Sequence, residues 1–184
     1  MDKCVILIDN SNVFIEGQKF SAKQKGFTGK NEFEKDYCDP SWRIDFGNLI
    51  HEIANGLIIT KAILVGSTPP ASDSIWEAAK KSGFEVTTHE RSSSGKEKAV
   101  DTELVAKGTE IICLSPEPQV LKLLSGDRDF IPLIGIANRR SWETEMWAFT
   151  SSFSFSGEMA QSVTTVKTLD SIFTNIGMNA FTWP

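Results

Sequence analysis

The sequence predicts an α/β protein whose central sheet is open and mostly parallel, with about five to six strands. Apolar runs of strand length recur along the chain, and segments with apolar residues at helical spacing lie between them. Each connection between parallel neighbours needs a crossover, which the intervening helices provide. Because 184 residues suit one compact domain, we predict a single domain over residues 1–184.

The first predicted strand is an unbroken run that ends sharply at Asp9, as expected for a strand buried on both faces of a sheet. Two further apolar runs of strand length follow it in the first half of the chain. Helical spacing and capping signals, such as Asn55-Gly56 and the Ser74-x-x-Glu77 capping box, mark the helices between them. The predicted strands are 3–8, 57–65 and 84–89, and the predicted helices are 13–20, 42–54 and 74–82.

The second half of the chain continues the alternation. Its predicted strands are 120–124, 143–149 and 164–169, and its predicted helices are 99–112, 131–140, 157–161 and a terminal helix from residue 170. Residues 21–40 differ from this pattern, because they are polar, contain glycine and have no sustained period. Since about 20 residues is long for a loop in a compact domain, we interpret this stretch as a mobile flap, a substrate-contacting insertion or a disordered segment.

Composition excludes several classes of protein. The hydrophobic fraction of 40% and the charged fraction of 23% are typical of a globular protein. The early apolar run at 5–8 is too short for a membrane span or a signal peptide, and three widely spaced cysteines suit reduced thiols. We therefore predict a cytoplasmic protein without a membrane association. The net charge of −5 argues against a nucleic-acid partner only if no bound cation reverses the local charge.

Two aspartates follow predicted strands at the point where each strand ends. Asp9 follows the first strand and Asp127 follows the strand at 120–124. Ligands of parallel α/β sheets bind outside the carboxyl ends of the strands, so both carboxylates are expected at one edge. Asp101 lies in the first turn of a predicted helix and Asp129 lies two residues beyond Asp127. We expect all four to converge.

Such a cluster is unstable without a counter-charge, because like charges at short range repel one another. Divalent cations relieve this repulsion, and a ligand set of carboxylates without cysteine or histidine favours Mg²⁺ or Mn²⁺. These ions activate water and stabilise the charge that develops on a phosphate. The pattern therefore indicates metal-dependent hydrolysis of a phosphodiester.

Each candidate residue also has a purely structural interpretation. Asp129 can serve as a helix N-cap, Asp101 can interact with a helix dipole, and Asn12 can either stabilise a turn or position Asp9 or a metal-bound water. Ser125 either offers a hydroxyl to the cluster or fills the end of a strand. Two basic residues suit phosphate contacts as well as an exposed surface. They are Lys98 and Arg128.

Three segments resemble motifs of one nuclease family. The segment 6–14, with Asp9-Asn10-Ser11-Asn12, resembles the first-strand motif of NYN domains. The segment 98–105 is similar to the K-G-V-D motif, although Ala99 replaces the glycine, and 125–130 matches the S-G-D-x-D-F motif. A stretch at 66–70 and Trp76 resemble a further part of some members, so that the resemblance extends over about residues 3–149. The chain departs from the family pattern at two places, which are Ala99 and the insertion at 21–40.

The resemblance implies the NYN family of PIN-like nucleases, in the FEN/PIN superfamily, and within it the LabA-like branch. It implies a three-layer α/β/α sandwich, dependence on Mg²⁺ or Mn²⁺, and cleavage of single-stranded or structured RNA. Asp9, Asp101, Asp127 and Asp129 are the predicted catalytic and metal-binding residues, and Asn12 assists them. The resemblance leaves open whether the protein forms a homodimer.

Two alternatives differ in class. A haloacid-dehalogenase-like phosphatase also carries an aspartate after its first strand, but that chemistry expects a second acid two residues later, where this chain has Ser11. A non-catalytic module that binds RNA or a protein partner would keep the fold without turnover. Cleavage of RNA separates these alternatives from the ribonuclease.

Overall fold

A computed structural model describes residues 1–68, 74–90 and 98–182. It contains a sheet of six parallel strands in the order β4-β3-β1-β5-β6-β7. The chain first adds strands on one side of β1 and then continues with β5 on the other side, so the topological switch point lies between β1 and β5. The strands are β1 (Lys3–Asp9), β3 (Ile58–Thr68), β4 (Glu85–Glu90), β5 (Val120–Leu124), β6 (Glu143–Ala148) and β7 (Thr165–Thr168).

Helices connect these strands and cover both faces of the sheet. Side chains of β1 alternate between two cores: Cys4, Ile6 and Ile8 face one, whereas Val5 and Leu7 face the other. All five are fully buried, which explains the unbroken apolar run. The helices are α1 (Asn10–Gln24), α2 (Phe46–Ala54), α3 (Ser74–Lys81), α4 (Lys98–Leu114), α5 (Ile131–Arg139), α6 (Glu158–Ser162) and α7 (Phe173–Ile176).

The two cores show that the fold has three layers. Buried residues of α1, α2, α3 and α7 belong to the first core, and those of α4, α5 and α6 belong to the second. The prediction of an α/β fold with a parallel sheet of five or six strands between helical layers is confirmed. Among the described residues, no helix is both long and apolar enough to cross a membrane.

The predicted helix at 42–54 is wrong in its first residues. Trp42–Ile44 is a short strand, β2, which pairs antiparallel with β8 (Gly177–Asn179), and α2 begins only at Phe46. Asp45 separates the two elements and caps the helix, because its Oδ1 accepts the N–H of Asn48 at 2.9 Å. The predicted C-terminal helix is also shorter than expected, since α7 ends where β8 begins.

The segment 21–40 starts inside a helix, because α1 continues to Gln24 instead of ending near residue 20. Its far end is anchored by the buried carboxylate of Asp39, which accepts hydrogen bonds from Ser21 Oγ at 2.6 Å and from Ser41 Oγ at 2.6 Å. Lys25 Nζ also lies 2.8 Å from this carboxylate. A polar network therefore holds both ends of the segment against α1, which sequence periodicity alone does not reveal.

Candidate metal centre

Asp9 lies at the end of β1, and its carboxylate forms the N-cap of α1. Its Oδ1 accepts the backbone N–H of Asn12 at 3.2 Å, and its Oδ2 accepts a hydrogen bond from Ser125 Oγ at 3.4 Å. Only 6% of Asp9 is exposed. The end of the first strand therefore holds a carboxylate that is buried and oriented by two neighbouring segments.

Ser125 connects the two strand ends at the switch point. It is fully buried at the end of β5, and its Oγ accepts the backbone N–H of Asp127 at 3.2 Å while it donates to Asp9. One hydroxyl thus bridges β1 and the turn that carries Asp127. Ser125 therefore both fills the end of the strand and contacts two of the acidic residues.

Three other carboxylates converge beside this bridge. Asp101, in the first turn of α4, and Asp127 and Asp129 each offer one oxygen, and these oxygens all lie within 4.8 Å of one another. Asp9 is not a member of this group, so the four predicted carboxylates divide into three that converge and one that is linked through Ser125. The convergence occurs at the carboxyl edge of the sheet, as expected for a ligand site.

Asp127 also has a structural role. It is the N-cap of a short 3-10 helix, Arg128–Phe130, and its Oδ1 accepts the backbone N–H of Asp129 at 2.9 Å. The cap fixes one carboxylate oxygen of Asp127 and brings Asp129 to the same side. A capping role and a place in the acidic group therefore coexist at this turn, although the cap is Asp127 and not Asp129.

The geometry of the group suits a divalent cation. Two oxygens bound to one Mg²⁺ at about 2.1 Å can be no more than about 4.2 Å apart. Separations of up to 4.8 Å need a shift of only a few tenths of an ångström for each side chain. A set of carboxylate oxygens favours Mg²⁺ or Mn²⁺ over softer metals.

A cleft of about 430 Å³ opens next to the acidic group and shares Asp127 with it. Asn12 and Arg128, two further predicted site residues, line it on the side of the acidic group. The opposite wall consists of residues 152–154 and 157–159. This wall follows β6 and carries none of the matched motifs, so no sequence pattern indicates it.

Gly126 allows the far wall to approach the end of β5. A Cβ at this position would lie 2.8 Å from Ser152 Oγ and 3.0 Å from the carbonyl oxygen of Ser152, which is closer than side-chain atoms normally come. A glycine directly before Asp127 was the available signal for such an approach. The side chain of Lys98 lies outside the described residues, as do Pro69 and Pro70.

The structure thus combines a parallel α/β sandwich with an acidic group at the carboxyl edge of its sheet. The chain belongs to the NYN domain family, whose model matches residues 4–170. NYN domains are PIN-like and are typically ribonucleases, so the family implies RNA as the class of substrate. The resemblance seen in three short motifs thus extends over most of the chain.

Comparison of structures supports the fold independently. The chain is similar to a crystal structure of a protein of unknown function from Vibrio parahaemolyticus, with a TM-score of 0.67 and 16% sequence identity over 96% of both chains. At this level of identity the likeness concerns the fold alone. No curated protein sequence matches the chain significantly.

Proposed function

We propose that this chain is a metal-dependent endoribonuclease that hydrolyses phosphodiester bonds of single-stranded or structured RNA. The observation that carries the proposal is the convergence of Asp101, Asp127 and Asp129 within 4.8 Å at the carboxyl edge of the sheet. Carboxylates at this distance repel one another unless a cation is bound. Family membership supplies RNA as the substrate class.

In this proposal Asp101, Asp127 and Asp129 hold Mg²⁺ or Mn²⁺. When bound, the ion supplies Lewis-acid stabilisation of a phosphate and lowers the pKa of water. Asp9 takes part from its buried position, where Ser125 and the N–H of Asn12 keep its carboxylate oriented toward the switch point. The helix cap formed by Asp127 reduces the freedom of that side chain before any ligand arrives.

The remaining candidates contact the substrate in this proposal. Arg128 is exposed beside Asp127 and presents a guanidinium to a phosphate. Asn12 lines the same cleft, where its amide can hydrogen-bond a sugar or a water. Lys98, which opens α4, is proposed as a second phosphate contact. The single domain, the LabA-like branch and the homodimer stay predictions.

The phosphatase alternative lacks support at Ser11. Its hydroxyl lies 3.4 Å from Ser67 Oγ, so the position of the second acid of that chemistry is taken by a neutral group. Asp9, the nucleophile in that alternative, is buried, and both of its oxygens accept hydrogen bonds. These features favour an orienting role for Asp9 over nucleophilic attack.

Cleavage of a fluorescent single-stranded RNA with and without Mn²⁺ tests the proposal. Asp127→Asn should abolish Mn²⁺-stimulated cleavage while the circular dichroism spectrum stays unchanged. Asp2→Asn is the matched control, because Asp2 is an exposed aspartate just before the start of β1, far along the strand from its carboxyl end. Equal activity of Asp127→Asn and wild type would refute the assignment, and RNA binding by wild type without any cleavage would favour the non-catalytic module.

A further inference from the structure

The cleft beside the acidic group is lined by apolar as well as polar residues, among them Phe153 and Met159. It shares Asp127 with the acidic group, and its far wall is formed by the loop after β6 and the first turn of α6. A nucleotide whose phosphate lies at the acidic group would place its sugar or base at this cleft. The residues of the far wall are therefore candidates for selecting the nucleotide.

Hydrogen bonds within the far wall hold its loop in one conformation. The backbone N–H and the hydroxyl of Ser152 both donate to the carbonyl of Phe149 at 2.9 Å. The N–H of Gly157 donates to the carbonyl of Ser154 at 2.9 Å, and Gln161 Nε2 donates to the carbonyl of Phe155 at 2.9 Å. A wall that is ordered in this way can position side chains for recognition.

Phe153 supplies an aromatic surface in this cleft. It is half-buried, packs against the second core, and lines the cleft together with Met159. Its ring makes an edge contact with Phe155, with centroids 4.9 Å apart and an angle of 68°. Unpaired bases of RNA commonly stack on such aromatic side chains.

Glu158 places a negative charge in the same cleft. It is exposed at the start of α6, and within the part of the chain that the structure describes its carboxylate makes no hydrogen bond or ion pair. A free carboxylate next to a phosphate path is unfavourable unless it contacts hydrogen-bond donors of the substrate. Base edges provide such donors, because amino and imino groups donate to carboxylates.

Guanine matches a carboxylate better than the other bases do. Its Watson–Crick edge carries two adjacent donors, the N1 imino group and the N2 amino group, which suit the two oxygens of Glu158. Adenine and cytosine offer an amino donor next to an acceptor, and uracil offers an imino donor between two acceptors. An acceptor beside a carboxylate is repelled, so the difference between bases is large.

We propose that the cleft is a base-recognition subsite for a guanine adjacent to the cleaved phosphodiester, with Phe153 as the stacking surface and Glu158 as the acceptor. The subsite rests on the ribonuclease function proposed above. It adds a sequence preference, which the acidic group itself does not provide.

Mapping of cleavage sites on an unstructured RNA tests the subsite. Wild type should cut bonds next to guanine at least about tenfold more often than other bonds. Glu158→Gln should reduce this preference to about threefold or less, and Phe153→Ala should raise KM for all sequences by about tenfold. Two exposed residues away from the cleft provide matched controls, Glu143→Gln and Phe33→Ala, and both should behave as wild type.

Binding of nucleosides without divalent metal separates the two proposals. Guanosine should bind wild type at least about tenfold more tightly than adenosine, cytidine or uridine, as followed by NMR shift changes, and Glu158→Gln should remove the difference. Cleavage without base preference, together with equal binding of the four nucleosides, would overturn the subsite alone. Selective guanosine binding by a protein that cuts no RNA would overturn the ribonuclease and leave the guanine site.

Discussion

Ser125 Oγ donates a hydrogen bond to Asp9 Oδ2 over 3.4 Å, across a separation of 116 residues in the chain. Because the same oxygen accepts the N–H of Asp127, one buried hydroxyl fixes the relative position of the two strand ends that flank the switch point. The acidic group is therefore preorganised by an interaction outside the group itself, a feature that metal sites use to orient their ligands.

Ser125→Ala should weaken Mn²⁺ binding by about tenfold, because residues that orient metal ligands typically contribute that much. The substitution leaves the N–H of Asp127 without its acceptor and removes a donor from Asp9. Mn²⁺ affinity measured by electron paramagnetic resonance is the appropriate readout, since a purely structural role would lower the melting temperature without changing that affinity. Ser171→Ala, in which the lost bond is to the carbonyl of Thr168 on the surface, should keep wild-type affinity.

Gly126→Ala should destabilise the protein by about 1–3 kcal/mol, because the new methyl group would overlap Ser152. Its Cβ would lie 3.0 Å from a backbone oxygen, which cannot move as a flexible side chain can. Gly135→Ala is the matched control in α5, since its Cβ would approach only Arg139, at 3.5 Å. That variant should be more stable by about 0.5–1 kcal/mol, as expected for alanine in a helix.

Urea unfolding followed by circular dichroism measures both glycine variants. Equal free energies of unfolding for Gly126→Ala and wild type would show that the loop after β6 can retreat without cost. In that case the close wall of the cleft would not depend on the glycine.

The sequence was most informative where burial is decided locally. Cys4 to Ile8 lie between two cores, so each of these positions is apolar until the strand ends at Asp9. Trp42–Ile44 was wrongly predicted as part of a helix, because its apolar residues fit a helical period. Its partner strand, Gly177–Asn179, lies far away in the chain. A strand of three residues formed by such a long-range pairing leaves no local signal.

The candidate site could be predicted from the sequence only where local patterns mark its residues. Its carboxylates follow strands or begin helices, which sequence patterns reveal. Asp9 is connected to the turn that carries Asp127 through the hydroxyl of Ser125, and the far wall of the cleft approaches Gly126 through Ser152. Both are tertiary contacts between segments that the sequence does not place next to each other.

Asp39→Asn should destabilise the protein by about 2–4 kcal/mol, because a buried ion pair loses one partner. Burial raises the pKa of Asp39, but hydrogen bonds from Lys25, Ser21 and Ser41 outweigh it and hold the pKa far below the usual value. The unfolded chain therefore takes up the proton first as pH falls below about 3.9. The stabilisation is complete above that pH and is lost as pH falls toward the folded pKa.

Denaturation at pH 6 and pH 3 tests this pH dependence. The difference in unfolding free energy between wild type and Asp39→Asn should be smaller at pH 3 than at pH 6. Asp36→Asn is the control, because Asp36 forms its ion pair with Lys30 in an exposed position, and its effect should be small at both pH values. A constant difference for Asp39→Asn would contradict the role of its charge.

The buried ion pair between Lys122 and Glu145 should respond asymmetrically to substitution. Lys122 Nζ lies 2.9 Å from Glu145 Oε2, and the lysine side chain is 2% exposed whereas the glutamate is 21% exposed. Glu145→Gln leaves an ammonium group buried without its counter-charge and should cost about 2–4 kcal/mol. Lys122→Met should cost less, about 1–2 kcal/mol, because Glu145 reaches solvent and still accepts a hydrogen bond from Trp147 Nε1 at 3.0 Å. Urea unfolding of the two variants and the double variant measures the coupling, and a greater cost for Lys122→Met would show that solvent does not stabilise the remaining carboxylate.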